Sequence, residues 1–138
     1  EKLSKVCTVT QSGEKSPPAP NFVDMYLGKK WYTLKFENTS SLGAVEGLDV
    51  SLLQDRVLSP ILKIGDPRTD ERIDFVGGIK GNGELEKLVD SGKFAVAFSM
   101  YPTTVAQLMD IADAGEIMPP KSTWFEPKLR SGLFVHTF

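Results

Sequence analysis

The chain has 138 residues, 41% apolar and 25% charged, which are the proportions of one ordinary folded domain with a real core. Its formal net charge of −2 gives no general affinity for nucleic acid or anionic lipid. The single cysteine, Cys7, excludes an internal disulfide and a thiolate metal cluster, and it fits a reducing, cytoplasmic interior.

No apolar run approaches the roughly 20 residues that span a bilayer, so no membrane partner is expected. No signal-peptide pattern is visible. Residues 1–5 read as the tail of a helix cut short, and the chain is expected to be a fragment of a longer protein.

Residues 6–10 are β-branched and alternate weakly, as a short strand does. The Pro- and Ser-rich stretch 12–21 has no periodicity and reads as a mobile loop between two strands. Residues 22–27 and 31–36 are the clearest strands. Gly28-Lys29 between them suits a type II′ hairpin turn, which wants glycine first. Tyr32, Leu34 and Phe36 share one face of the second strand; Trp31, Thr33 and Lys35 share the other, half-wet one.

A polar loop over 38–47 leads to Asp49, placed to cap a helix with Val50, Leu53 and Val57 on one stripe. Ser59-Pro60 ends or kinks that helix. After the charged loop 65–72, residues 73–76 alternate as a strand. Asn82 begins a short helix with Leu85, Leu88 and Val89 on one face, and Gly92 stands at its C-terminal cap position. Residues 94–100 lack charge and read as a strand covered on both faces. Thr104 and Gln107 form a capping box for a helix using Val105, Leu108, Met109 and Ile111, stopped by Gly115. Two more strands are expected, near Trp124 and over 133–138. The sum is a single α+β domain over 1–138. It would have a mixed β-sheet, hairpins at both ends, right-handed parallel crossovers in the middle, and two or three helices packed on it.

The chemistry-bearing motifs are few. There is no Gly-rich phosphate loop and no Gly-x-Ser-x-Gly elbow. The only histidine, His136, sits in a terminal alternating strand. No catalytic residue, metal site or cofactor is therefore expected. Asp66, Asp70 and Asp74 offer oxygen ligands, but Arg68 and Arg72 compete for them, and surface ion pairs are the simpler reading. Tyr101, Thr103 and Thr104 lie between a buried strand and a helix N-terminus, a position that favours anions, though capping also accounts for them. The densest motif is 118–133, with three cations, one carboxylate, three hydroxyls and two aromatics among three prolines. Proline stiffens the backbone, so Lys121, Ser122, Thr123, Glu126, Lys128 and Arg130 are the first candidates for a small anionic ligand, ahead of Tyr101 and Thr103.

Several segments resemble one known family: Phe22-Val23-Asp24-Met25-Tyr26-Leu27-Gly28-Lys29-Lys30-Trp31-Tyr32, Leu48-Asp49-Val50-Ser51-Leu52-Leu53-Gln54, Asp70-Glu71-Arg72-Ile73-Asp74-Phe75-Val76-Gly77-Gly78, and the run 118–136. Together they are similar to the C-terminal part of the prokaryotic family called domain of unknown function 1015. The resemblance implies an uncharacterised C-terminal domain whose missing N-terminal part carries an Asp-Gly-His-His-Arg motif, similar to one in ParB/sulfiredoxin-like nucleotide-binding and free-serine-kinase proteins. That motif is absent here, so any phosphoryl-transfer centre would lie in the missing part.

Two functions follow as expectations. One is a phosphate- or carboxylate-binding companion of a small-molecule phosphotransferase. The other is a scaffold or homodimerisation domain in which Trp31, Trp124 and Phe125 pack on the N-terminal domain or on a second subunit.

Overall fold

A computed structural model describes residues 1–12 and 15–119. The α+β class holds. Among the described residues four strands form one sheet in the order β1 (Thr8–Ser12), β3 (Lys30–Lys35), β2 (Phe22–Leu27), β4 (Ala97–Met100). All three ladders are antiparallel. The parallel crossovers expected in the middle of the chain are thus not found among the described residues, because β4 returns beside β2 in the opposite direction. The expected C-terminal strands lie outside the described residues.

The β2–β3 hairpin turns through Gly28 and Lys29, with Leu27 facing Lys30. Both turn residues have positive φ, at 58° and 63°, so the turn is type I′ rather than the expected type II′. Its twist matches that of the strands it joins, and it holds even with a lysine in the second place.

Alternation along the strands gives the sheet two unlike faces. Val23, Met25, Leu34 and, just past β3, Phe36 form the core with Leu52, Leu53, Val57, Leu58 and Ile64; Tyr32, Phe98 and Met100 pack against it. The helical layer over this face is α1 (Asp49–Leu53), which runs on into a π-helical turn, Gln54–Leu58. Ser59 N–H reaches back five residues to the Gln54 carbonyl at 2.9 Å. Pro60 explains the widening: it has no N–H, and its ring would press on the Arg56 carbonyl in a regular helix. Asp49 does not cap α1 as expected. Leu48 occupies the cap position, and Asp49 Oδ1 instead accepts the Asn21 backbone N–H at 2.7 Å, tying the helix start to the approach of β2.

The opposite face carries Asp24, Tyr26, Trp31, Thr33 and Ser99, and α2 (Asn82–Asp90) covers it. Residues 73–76 alternate but join no ladder among the described residues, so the strand expected there is not found among them. The capping box at α3 (Val105–Asp113) is present as expected, with Gln107 N–H donating to Thr104 Oγ1 at 3.2 Å and Gln107 Oε1 accepting the Thr104 N–H at 2.9 Å. Of the expected α3 core residues only Ile111 is buried; Val105 and Met109 are 72% and 60% exposed. No helix among the described residues is long and apolar enough to cross a membrane.

Candidate functional site

A polar cleft of about 230 Å³ opens beside the first strand and is lined by Ser4, Lys5, Val6, Cys7, Thr8, Glu37, Asn38 and Arg56. Three distant chain segments build it. The N-terminal 3₁₀ turn, Leu3–Lys5, brings Ser4 and Lys5 to one wall. The end of β3 runs on to Glu37 and Asn38, and Asn38 adopts a φ of 57°, a conformation asparagine tolerates better than most residues. The π-helical turn supplies Arg56, and single widened turns of this kind occur often at functional positions.

Arg56 is the organising group. Its Nη1 donates to the Glu37 backbone carbonyl at 2.8 Å, and its guanidinium carbon lies 5.9 Å from the centre of the Phe36 ring. The half-buried guanidinium is thereby held in orientation, yet forms no ion pair with any described carboxylate; nor does Lys5. Glu37, the one acid on the lining, accepts from Thr8 Oγ1 at 3.3 Å and has Lys35 Nζ at 3.8 Å. Guanidinium, ammonium, hydroxyls and a carboxamide around one concavity form a donor set for an oxyanion.

Cys7, on the same lining, is a poor nucleophile. Burial pushes its thiol above the usual range, against the opposing pull of Arg56, and Sγ donates to the Leu3 carbonyl at 3.4 Å. The arrangement is suited to holding a ligand rather than attacking one.

The residues proposed from sequence fare differently. Lys121, Ser122, Thr123, Glu126, Lys128 and Arg130 lie outside the described residues. Tyr101 and Thr103 are half-buried in the link between β4 and α3. They leave the sheet at the same end as the cleft but from the opposite edge strand. With strands about 4.8 Å apart, that separates Tyr101 from the cleft by roughly 14 Å. Thr104 and Gln107 are occupied with each other in the capping box.

The acidic loop behaves as a set of internal pairs. Arg68 chelates Asp66, Arg72 chelates Asp70, and Asp74 accepts the Phe75 N–H. No group of three or more metal-ligating side chains gathers among the described residues. Trp31, expected at a contact with another domain or subunit, is instead 6% exposed beneath α2, with Nε1 donating to Glu86 Oε1 at 2.8 Å. Trp124 and Phe125 lie outside the described residues.

Sequence reasoning passed over Arg56, because nothing local marks it. Its partners are 19 residues away at Glu37 and about 50 away at Lys5, so no motif spacing exists to be recognised. The Ser59-Pro60 pair that follows is the nearby signal, and it was legible as a helix stop or kink, not as a widened turn. No family model, curated protein or solved structure matches this chain.

Proposed function

We infer that this domain binds a small oxyanion, a phosphate or carboxylate group, in the Arg56 cleft, and that it is a non-catalytic companion to a phosphotransferase-type partner domain. The observation that carries the reading is Arg56 itself: a guanidinium held by a backbone carbonyl and an aromatic ring on the wall of a concavity, in no ion pair with a described carboxylate, while the Glu37 carboxylate on the same lining is engaged by Thr8 and Lys35. The resemblance to the domain of unknown function 1015 family supplies the partner, the N-terminal part with the double-histidine motif. The cation-rich run from Lys121 to Arg130 is the competing location for the same ligand class.

A titration of the chain with phosphate, pyrophosphate, ADP and serine, followed by amide NMR shifts, tests this. Shifts centred on residues 4–8, 37–38 and 56 that disappear in Arg56→Gln support the cleft. Shifts that survive Arg56→Gln but vanish in Lys121→Ala and Arg130→Ala move the ligand to the C-terminal run.

A second reading, an interaction domain, is favoured by one observation. Val105 and Met109 stand one turn apart on α3, and both are exposed, as is Ile117 at 88%. Silence in every titration, with a dimer mass by light scattering that Met109→Lys converts to monomer, would select it.

A further inference from the structure

The two helical layers over the sheet are held by different forces. α1 and its π-helical turn bury Leu52, Leu53, Val57 and Leu58 in the core. α2 buries no residue at all, and its half-buried Leu85, Leu88 and Val89 are not among the side chains packed on the main core.

What fixes α2 is a polar stripe. Asn82, Glu86 and Asp90 recur every four residues, so they share one helix face. Each meets a different strand. Ser99 Oγ on β4 donates to Asn82 Oδ1 at 3.0 Å; Trp31 Nε1 on β3 donates to Glu86 Oε1 at 2.8 Å; the Tyr26 hydroxyl on β2 donates to Asp90 Oδ1 at 3.0 Å. From outside, Lys15 Nζ pairs with Glu86 at 2.9 Å, and Asn82 Nδ2 donates to the Lys15 carbonyl and to Ser16 Oγ.

Glycines bracket the helix. Gly81 and Gly92 have φ of 73° and 78°, and no atom lies within 4 Å of where a Cβ would stand on either. Both ends therefore have room and conformational freedom to pivot. Beneath α2 lie Ser99 and the buried Tyr26 and Trp31 rings, and the same sheet face carries Asp24, which accepts from Thr33 Oγ1 at 2.7 Å.

We propose that α2 is a strap that unlatches from the sheet and returns to it as one unit, with the Asn82–Glu86–Asp90 stripe as its catch. Lifting an apolar helix exposes core surface, and the cost scales with that area. Lifting α2 uncovers the Tyr26 and Trp31 rings beneath it, and that apolar area sets the larger part of the cost. The helix itself buries no residue, and its hydrogen bonds are exchanged for bonds to water, each worth far less than its gross energy. Helices of this kind open below the global unfolding limit. The opened strap would free the donors it now holds, Ser99 Oγ, Trp31 Nε1 and the Tyr26 hydroxyl, to a ligand bearing oxygen acceptors. This site lies on the face of the sheet opposite α1 and stands independently of the Arg56 cleft.

Native-state hydrogen exchange tests the strap on the whole chain. Amides of residues 86–90 are expected to exchange at least about tenfold faster than those of Val23, Met25 and Leu34. Glu86→Gln should speed the α2 amides a further three- to tenfold and leave the strand amides unchanged. Should Glu86→Gln fail to fold, Tyr26→Phe removes the Asp90 anchor alone and should give the same selective acceleration. Acrylamide quenching of Trp31, read in a Trp124→Phe background, should rise in parallel. One common exchange rate for α2 and the strands, or equal acceleration of both by the variant, overturns the proposal.

Discussion

The bond between Trp31 and Glu86 offers a direct measure of what joins α2 to the sheet. Its 2.8 Å length and ionic acceptor place it among charge-assisted hydrogen bonds, worth about 1.5–3 kcal/mol when shielded. Two features lower that figure. The Glu86 side chain keeps a quarter of its exposure, and it shares the same oxygen, Oε1, with Lys15 Nζ at 2.9 Å. Water and a competing cation screen the pair, so a coupling of about 1 kcal/mol is the reasoned value. A double-mutant cycle of Trp31→Phe and Glu86→Gln isolates it from the loss of indole packing, which appears in the Trp31 single variant alone. Urea unfolding followed by circular dichroism at 222 nm is the assay, since it does not depend on indole fluorescence. Trp31→Phe should cost roughly 2–3 kcal/mol, because Trp31 is almost fully buried and loses both volume and a bond. Coupling under about 0.3 kcal/mol would refute the reasoning, and α2 would then be held by Leu85, Leu88 and Val89.

Three further outcomes follow from the same geometry. Arg72 holds the Asp70 carboxyl down to about 2 through side-chain and backbone hydrogen bonds. That contribution is complete above the ordinary aspartate range and is lost as pH falls through about 2; a carboxyl NMR titration should show it, with Arg72→Gln returning Asp70 toward its usual value. Burial raises the Asp49 carboxyl, against the Asn21 N–H bond that lowers it. A raised acid loses stability as pH climbs through its folded value, so Asp49→Asn should match or exceed wild type at neutral pH by urea unfolding, while Asp49→Ala, which orphans the Asn21 N–H, should cost about 1–2 kcal/mol. Lys29 carries a side chain at φ 63°, and Lys29→Gly should raise stability by about 0.5–1 kcal/mol in the same assay, provided the turn is type I′.

What could be read from the chain was what neighbours decide. The hairpin 22–35 showed itself because strand alternation and a Gly-containing two-residue turn are local. The α3 capping box was legible for the same reason: Thr104 and Gln107 complete it within one helical turn. Local pattern was not sufficient at 73–76, where the alternation is genuine but no ladder forms with another strand among the described residues. It misassigned Asp49, whose residue type fits a cap, because a backbone N–H 28 residues away at Asn21 competes for the same oxygen. The candidate site escaped for a related reason. Arg56 comes to line a polar cleft only when the 3₁₀ turn and the end of β3 close around it.

Local pattern was enough for the α+β class, the central hairpin and the positions of three helices. All of these rest on periodicity and capping, which act over one or two turns. The antiparallel return of β4 beside β2, the hydrogen bonds from a polar stripe of α2 to three strands, and the cleft lined by Arg56 emerge only once the fold is assembled. Each depends on which distant segments arrive side by side, and the alternation of a strand or the amphipathicity of a helix is the same whichever neighbour it meets.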